Sequence, residues 1–440
     1  MTTAETGLRV PLMDMVLCLS HAVDLVSTSV ADHHKRVAFA AVRLAEAFGL
    51  TPQERLDVLA AAALHDIGAL SLKERLDTLE FELDRPHEHG ASGHLLLRGF
   101  APFAPAAELI RCHHVPWERG KGMEFRGRPV PIGSHVLHLA DRIDVLAAGK
   151  GDVLAAAPEI VRRIRAQAPD RFVPGLVEVF CEEARKEAFW LDLTSPSIDR
   201  ALAAAGGECD LYLGPAALLD LSRLFGRIVD FRCRFTAVHS SCVAATARAL
   251  AGPSGFSEDA RHLLHVAGHL HDLGKLAVSA EILGNTKPLS EEQWRVIRRH
   301  PFQTFRILER IKGLEEVASW ASQHHERLDG GGYPFHCRSK ELSLGSRIVA
   351  VADVFSAMKE DRSYRPALKD PEALKVLAEQ GRAGLLDGEV VALLRERHQD
   401  VEAARRQARD AARKEYDRFS LERAGTVGAG SRPVQGGSHD

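Results

Sequence analysis

Apolar residues recur at intervals of three and four along most of the chain, which is the pattern of amphipathic helices. The pattern is clearest in residues 34–48, 55–64, 241–250 and 262–270. Polar capping residues followed by acidic residues mark helix starts at Thr51, Ser257 and Ser290. Convincing alternation of apolar and polar residues, which would indicate half-buried strands, is absent. The pattern therefore predicts an all-α protein.

Histidines and aspartates of the first half recur in the second half, in the same order and at a nearly constant offset. The matched positions are His33 with His239, His65-Asp66 with His271-Asp272, His89 with His300, His113-His114 with His324-His325, and Asp141 with Asp353. The offset drifts only from 206 to 212 residues. Five anchors in register are hard to obtain by chance, so we expect two tandem copies of one helical-bundle domain.

The repeat also sets the expected domain bounds. The first copy spans residues 10–195 and the second spans residues 216–405. Residues 196–215 contain proline and glycine and are the expected linker. Residues 406–440 are expected to form a charged helical segment that ends in a disordered tail.

Composition excludes several classes of protein. The chain is 45% hydrophobic and 27% charged, as in globular proteins with apolar cores. Its net charge of −3 gives no general attraction to DNA or to an anionic membrane. No apolar run is long enough to span a membrane, and the N-terminus lacks the basic region of a signal peptide. Seven scattered cysteines without a CxxC pair favour a reducing compartment, so we expect a cytoplasmic protein of undetermined oligomeric state.

The 22 histidines are clustered, which points to a metal centre in the second copy. Buried ionisable groups cost several kcal/mol unless they are paired or bind a metal. The candidate ligands are His239, His271, Asp272, His300, His324, His325 and Asp353. Nitrogen and oxygen ligands without thiolate suit Fe, Mn or Zn, and the sequence leaves that choice open.

This set is larger than one tetrahedral ion requires. An aspartate of a His-Asp pair can bridge two ions, and ions about 3.5–4 Å apart can hold a hydroxide that attacks a phosphodiester. Lys275 follows His271 by one helical turn and is a candidate for neutralising charge on the phosphate oxygens. The residues alone therefore favour a metal-dependent phosphodiesterase.

Two motifs in the second copy carry a family resemblance. The pattern HD-x-x-K at 271–275 and HHE-x-x-DG-x-GYP at 324–334 closely resembles the HD-GYP subgroup of HD-domain phosphohydrolases. The resemblance covers about 190 residues and implies an all-helical fold, two or three metal ions and hydrolysis of cyclic di-GMP to pGpG, with further cleavage to GMP left open. It makes the seven candidates metal ligands, and Lys275 and Asp272 catalytic residues. It assigns substrate contacts to Lys275, Tyr333, Pro334, Arg362 and Arg365.

The sequence departs from the family at two positions. Members with three metals carry a glutamate four residues before the first histidine, where this chain has Phe235, so we expect two metals. Ser356 stands where many members have aspartate. Iron or manganese is favoured, and zinc stays open.

The first copy keeps the ligand types but not the rest of the motif. Its candidate ligands for a second metal site are His33, His65, Asp66, His89, His113, His114 and Asp141. Ala69 replaces the lysine, and HHVPWERGKG replaces the GYP loop. The competing interpretation is a copy that has lost its chemistry and serves as a packing or regulatory partner.

Three other functions stay open. The substrate could be 3′,3′-cyclic GMP-AMP instead of cyclic di-GMP. The protein could be a non-catalytic scaffold that binds a cyclic dinucleotide or a diguanylate cyclase. A weaker alternative is an iron oxygenase built on the same scaffold, against which the nucleotide-contacting residues argue.

Overall fold

The computed structural model of the protein describes residues 8–81, 86–206, 211–233, 236–361 and 366–429. In the described part of the N-terminal half the helices are α1 (Leu12–Asp24), α2 (His33–Ala47), α3 (Pro52–Leu64), α4 (Leu72–Asp77), α5 (Pro86–Leu97), α6 (Ala104–Cys112), α7 (Ile132–Ala147), α8 (Val153–Arg165), α9 (Pro174–Glu183), α10 (Glu187–Leu193) and α11 (Ile198–Gly206). The C-terminal half continues with α12 (Pro215–Asp230), α13 (His239–Ala251), α14 (Glu258–Leu270), α15 (Ala280–Leu283), α16 (Glu291–Ile297), α17 (His300–Leu308), α18 (Glu315–Ser322), α19 (Leu344–Met358), α20 (Asp370–Arg382), α21 (Gly388–Glu396) and α22 (His398–Ala429).

Other regular structure is short. The 3-10 helices are Thr28–Val30, Ala101–Phe103, Glu118–Met123, Leu273–Ala277 and Ser339–Glu341. The two-residue strands are β1 (Val10–Pro11), β2 (Glu124–Phe125), β3 (Arg128–Pro129) and β4 (Tyr212–Leu213), which pair antiparallel as β1 with β4 and β2 with β3. The all-α prediction is confirmed.

The predicted helix starts are confirmed by their capping contacts. The Thr51 hydroxyl accepts a hydrogen bond from the backbone N–H of Glu54 at 3.3 Å, and the Glu54 carboxylate accepts from the N–H of Thr51 at 2.9 Å. Ser290 and Gln293 form the same reciprocal pair, and Ser257 caps α14 through the N–H of Ala260. Each such contact satisfies an N–H group that has no partner inside the helix, which stabilises the helix by about 1 kcal/mol.

The chain folds into two compact units, and each draws on separated segments. The first unit consists of the described parts of Met1–Lys35, Leu70–Leu76 and Gly207–Lys414. The second consists of the described parts of Arg36–Ala69, Asp77–Gly206 and Glu415–Asp440. These compact units are not continuous in sequence. The bounds of the two repeated copies, 10–195 and 216–405, stay a prediction from the sequence.

In the first unit, the packing centres on α13 and α14. The helices α12, α18 and α19 pack around this pair, and α21 contacts α13. The core side chains include Leu264, Val349 and Phe355, which are at most 1% exposed. Burying such side chains contributes about 1.5–3 kcal/mol each. A helix bundle held in this way can fix polar side chains at its centre.

The N-terminal helix α1 also belongs to the first unit. It packs against α17 and against the 3-10 helix Leu273–Ala277. The Cys18 thiol donates to the Ile307 carbonyl at 3.2 Å, and Met15 and Leu19 are fully buried. The helix therefore supports the segment that follows the His271-Asp272 pair.

In the second unit, α3, α6 and α7 pack on one another, and α5 packs on α6. A second contact group joins α8, α9 and α10. Here Trp190 is 1% exposed, packs edge-on against Phe180 and Phe189, and donates its indole N–H to the Ala184 carbonyl at 2.9 Å. Aromatic side chains thus fill the core between α9 and α10.

Two buried aspartates lie at matching places of the repeat. Asp230 accepts from the backbone N–H of Ser240 at 2.9 Å and from its hydroxyl at 3.0 Å. Asp24 accepts from the backbone N–H of His34 at 3.3 Å. Each carboxylate fixes the start of the helix that carries the first candidate ligand of its copy, and the two pairs are again 206 residues apart.

Two expected segments are partly described. Within the stretch expected to be a linker, residues 198–206 form α11 and residues 212–213 form β4. The charged helical segment lies in α22, and the expected disordered tail at 430–440 lies outside the described residues. No helix in the described ranges has both the length and the apolar character needed to cross a bilayer.

Candidate metal centre

Five segments of the first unit bring together the seven candidate ligands of the second copy. These are His239 and His300 as the first residues of α13 and α17, His271 with Asp272 directly after α14, His324 with His325 after α18, and Asp353 within α19. All are buried except His325, which is partly exposed. Residues more than a hundred positions apart in sequence thus surround one point in the core.

Backbone contacts determine which nitrogen of each ring faces this point. The Nδ1 atoms of His271, His300 and His324 each lie 2.6–2.8 Å from the carbonyl oxygen three residues earlier. A carbonyl oxygen can only accept, so Nδ1 carries the hydrogen and Nε2 keeps its lone pair. Histidines that bind metals are held in this way by a hydrogen bond on the opposite nitrogen.

One group of ligand atoms, called subsite A, consists of the ring nitrogens of His300, His324 and His325 with Oδ1 of Asp272. The Nε2 atoms of His300 and His324 are 3.1 Å apart, and Nε2 of His300 is 3.3 Å from Oδ1 of Asp272. The ring nitrogens of the three histidines all lie within 4.8 Å of one another. Ligands about 2.1 Å from a tetrahedral ion are about 3.4 Å apart, which agrees with these distances.

A second group, called subsite B, consists of His239, His271, Asp353 and Oδ2 of Asp272. Nε2 of His239 is 3.2 Å from Oδ1 of Asp353, and Nε2 of His271 is 3.2 Å from Oδ2 of Asp272. Asp272 therefore presents one oxygen to each subsite. This is the position of a carboxylate that bridges two cations.

The donor set fits divalent cations on physical grounds. Neither His300 nor His324 has a hydrogen on Nε2, because the hydrogen of each ring is on Nδ1. Two nitrogen lone pairs 3.1 Å apart in a buried site repel each other unless a cation lies between them. Imidazole and carboxylate ligands without thiolate suit first-row transition ions.

Protonation states at the centre are those that metal ligands require. Burial alone would raise the pKa of Asp272, but the nearby His271 and Lys275 hold it well below its usual range. Burial lowers the pKa of His324 well below its usual value, and it lowers the pKa of His325 to about 3. At neutral pH the carboxylate is ionised and these imidazoles are neutral, so no proton competes with a metal ion.

We expect a further histidine, His265, to make the stability of the metal-free protein depend on pH. Burial and nearby Arg248 lower its pKa to about 4. Below about pH 6.5 the unfolded chain takes up a proton on this histidine and the folded chain does not. The free energy of unfolding therefore decreases as the pH is lowered, by about 2 kcal/mol between pH 7 and pH 5. Urea unfolding in chelator at pH 7 and pH 5 measures this fall, which should be smaller by about that amount in His265→Phe.

For this prediction, Asp259→Asn, an exposed change on the same helix, is the control and should keep the wild-type difference between the two pH values. An unchanged pH dependence in His265→Phe would contradict it.

Sequence reasoning missed Glu360. Its carboxylate is 5% exposed and its Oε2 accepts from Nδ1 of His239 at 3.0 Å. A carboxylate in this position orients a ligating imidazole and raises its basicity. The signal in the sequence is weak: Glu360 follows Asp353 by seven residues, which is two helical turns, but α19 ends at Met358.

The change Glu360→Gln should weaken metal binding by about 10- to 100-fold, since outer-sphere partners of ligating histidines have effects of this size. Competition with a chelator indicator measures the loss. Glu372→Gln on the surface of α20 is the matched control. Equal metal affinity in wild type and Glu360→Gln would show that the His239 contact does not act on the centre.

The loop 325–337 folds over the centre and is held by a buried carboxylate. Glu326 accepts from the N–H of Phe335 at 2.7 Å and from the N–H of Cys337 at 3.1 Å. The Tyr333 ring packs against His325 with 4.9 Å between ring centres. Gly332 is needed because a Cβ there would lie 2.4–2.6 Å from the backbone of residues 326 and 327.

Lys275 lies beside subsite B. Its Nζ donates to Oδ2 of Asp272 at 2.6 Å, and its side chain is 16% exposed. Pro334 is half-buried next to Tyr333 in the loop. Three residues named in the predictions lie outside the described residues. They are Phe235, on which the predicted number of metals depends, and the predicted substrate contacts Arg362 and Arg365.

The candidate ligands of the first copy occupy matching elements. His65-Asp66 directly follows α3, His113-His114 directly follows α6, His89 lies in α5 and Asp141 lies in α7. The Nδ1 atoms of His65 and His113 lie 2.9 and 2.6 Å from the carbonyl oxygen three residues earlier, as in the second copy. His33 is the first residue of α2, is 1% exposed and belongs to the first unit.

Family models match both copies. Residues 30–146 and residues 223–390 each match a model described as an HD domain. The two matches agree with the internal repeat, and the second includes all seven candidate ligands of the second copy.

Relatives of known function cover different parts of the chain. A 3′3′-cGAMP-specific phosphodiesterase 1 from Vibrio cholerae serotype O1 is 30% identical over 395 residues, which is 87% of this chain and 90% of the relative. The cyclic di-GMP phosphodiesterase response regulator RpfG from Xanthomonas campestris pv. campestris is 37% identical over 183 residues, which is 41% of this chain and 48% of the relative.

One solved structure has the same fold. It is a cyclic GMP-AMP specific phosphodiesterase of V. cholerae, V-cGAP3, with a TM-score of 0.60 and 24% identity. The match covers 90% of this chain and 98% of that chain. The similarity therefore extends through both copies.

Proposed function

Because this chain belongs to the HD-GYP family of HD-domain phosphodiesterases, we propose that its second copy hydrolyses a 3′,3′-linked cyclic dinucleotide at a centre of two divalent metal ions. The observation that carries the proposal is the position of Asp272, whose two oxygens face two groups of buried histidines. A bridged pair of cations is the arrangement that clamps a phosphodiester for in-line attack. Iron or manganese is the favoured metal, and zinc is also compatible with the ligands.

The chain's own residues would hold the ions and the phosphate. His300, His324 and His325 would bind one ion and His239, His271 and Asp353 the other, with Asp272 shared. The ions, when bound, supply Lewis acidity and activate the attacking water.

Lys275 is positioned to stabilise the charge that develops during attack. Its ammonium group is anchored by Asp272 and still partly exposed, so it can reach a phosphate oxygen without leaving its partner. As water attacks phosphorus, the bond between phosphorus and the 3′ oxygen breaks, and a proton of that water passes to the 3′ oxygen, which leaves as the 3′ hydroxyl of the linear product. A fixed cation beside the equatorial oxygens lowers the barrier of such a step.

The loop 325–337 places Tyr333 beside the metal ligand His325, where it can contact a nucleobase of the substrate. The guanidinium carbon of Arg298 lies 4.6 Å from the centre of the Tyr333 ring. His325 also packs against this ring, so the tyrosine is held in a fixed orientation beside the metal ligands. We assign Tyr333 and Pro334 to the substrate side of the site on this basis, and Arg362 and Arg365 stay proposed contacts from the family resemblance.

Two substrates fit this proposal. Cyclic di-GMP is the substrate implied by the family resemblance, and RpfG, which is named for it, matches 41% of this chain. The 3′3′-cGAMP-specific relative matches 87% of the chain. Because this relative matches both copies and not the second alone, 3′,3′-cyclic GMP-AMP is also a candidate substrate.

The test is product analysis with the full chain, reloaded anaerobically with Mn²⁺ or Fe²⁺ and given each cyclic dinucleotide separately. Linear dinucleotide from one or both substrates is the expected result, and chromatography of the products identifies it. If the protein binds a cyclic dinucleotide but hydrolyses none with either metal, the proposal of an enzyme is wrong and a binding scaffold takes its place. The ratio of kcat/KM values decides between the substrates.

A further inference from the structure

Three histidines of the first copy converge in the second unit. His89, His113 and His114, called here the N-terminal histidine cluster, are 8% exposed or less. The Nε2 atom of His89 is 3.3 Å from Nε2 of His113 and 3.1 Å from Nε2 of His114. Oδ1 of Asp66 is 3.3 Å from Nε2 of His89.

These contacts cannot all be hydrogen bonds. Nδ1 of His113 donates to the Ile110 carbonyl at 2.6 Å, so its Nε2 carries a lone pair. The single Nε2 of His89 faces the Nε2 atoms of His113 and His114 and a carboxylate oxygen, and it has at most one hydrogen to give. The three distances from Nε2 of His89 are instead close to the separation of about 3.4 Å between ligand atoms of a tetrahedral ion, and the ring nitrogens of the three histidines all lie within 4.8 Å of one another.

The N-terminal histidine cluster corresponds to subsite A of the second copy. In both copies, one histidine lies in or at the start of a helix, two adjacent histidines follow another helix, and Oδ1 of the His-Asp pair completes the group. The distance from this oxygen to the first histidine is 3.3 Å in each case. One half of the binuclear arrangement is thus present in the first copy.

The carboxylates of the other half have protein partners. The Thr78 hydroxyl donates to Oδ2 of Asp66 at 2.7 Å, which is the oxygen that would bridge to a second ion. The guanidinium of Arg142 donates to Oδ2 of Asp141 at 2.7 Å. Arg142 is fully buried and also donates to the carbonyls of Thr78 and Phe81, at 2.9 and 3.2 Å. A fixed positive charge is therefore paired with Asp141, whose counterpart Asp353 belongs to subsite B of the second copy.

We propose that the first copy binds one divalent transition-metal ion, through the N-terminal histidine cluster and Oδ1 of Asp66, and that this ion is structural. Imidazole and carboxylate ligands suit Zn²⁺, Fe²⁺ or Co²⁺. The ion ties α5 to the segment after α6 and to the His-Asp pair after α3. With four protein ligands and no partner ion, it lacks the two-ion clamp needed to cleave a phosphodiester.

The experiment measures metal content, so it is independent of turnover and of the function proposed for the second copy. The full chain is stripped with chelator, reloaded with Zn²⁺, desalted and analysed for metal per chain. The His113→Gln/His114→Gln variant should lose one equivalent relative to wild type. His94→Gln, on the same helix as His89 but paired with Glu108 at 3.6 Å, should lose none.

A second measurement leaves the first copy intact. In a full chain that carries Asp272→Asn, His324→Gln and His271→Gln, subsites A and B of the second copy both lose ligands and its centre is disabled. Loading with Co²⁺ should leave one tightly bound ion with the strong visible absorption of tetrahedral Co²⁺. A chain that binds no Co²⁺ would overturn the proposal even if the His113→Gln/His114→Gln variant does not fold. If the His113→Gln/His114→Gln variant binds two metal ions fewer per chain than wild type, the assignment of a single ion to the first copy is wrong.

Discussion

The Asp272→Asn variant should lose more than about a hundredfold in kcat/KM and should bind less metal. Both oxygens of Asp272 face ligand groups, so one substitution weakens subsites A and B together. Changes to groups that only support a ligand already cost about 10- to 100-fold, and a shared ligand should cost more. Steady-state kinetics and metal analysis of the same preparation measure the two effects.

The control for Asp272→Asn is Asp259→Asn, which makes the same chemical change on the exposed first turn of α14. This control should keep wild-type kinetics and metal content. An Asp272→Asn variant with kcat/KM within threefold of wild type would rule out a bridging role for this carboxylate.

The Lys275→Met variant should lose about 100- to 1,000-fold in kcat while it retains its metal. A positioned charge that acts on the transition state has effects of this size when it is removed. Asp272 loses its ion pair in this variant and becomes available to the metals alone, so metal affinity should stay the same or rise. Kinetics at saturating substrate, together with metal content, separate this result from the loss of metal expected for Asp272→Asn.

Lys287→Met, on an exposed turn, is the matched control for the lysine and should have no effect. Loss of metal in Lys275→Met, in proportion to its loss of activity, would mean that the lysine stabilises the centre and does not act on the phosphate. A fall in kcat and kcat/KM by the same factor would indicate an interaction made only in the transition state.

The elements that follow from local sequence were predictable. Apolar spacing and capping residues gave the helices that begin at Pro52, Glu258 and Glu291, because these signals act within a few residues. The candidate ligands of the second copy were found because the repeat and the GYP motif single out the same residues. The structure brings their ring nitrogens and carboxylates together.

The residues that escaped prediction act through long-range packing. Glu360 supports His239 from 121 residues away, and no spacing rule connects the two. Arg142 is adjacent to Asp141, but its burial and its contacts with the segment 78–81 appear only in the folded chain. The repeat therefore predicted equal ligand sets, but it did not predict the contacts of Thr78 with Asp66 and of Arg142 with Asp141, because neither residue is part of the repeated pattern.

Placing α1 in the unit that carries Asp272 has a consequence for synthesis on the ribosome. Met15 and Leu19 are translated nearly three hundred residues before α17, against which their helix packs. The apolar face of α1 cannot pack against α17 until most of the polypeptide has been translated. During that time we expect a chaperone to bind it. A fragment that lacks α1 would leave the surfaces of α17 and of the 3-10 helix Leu273–Ala277 that α1 covers exposed to water.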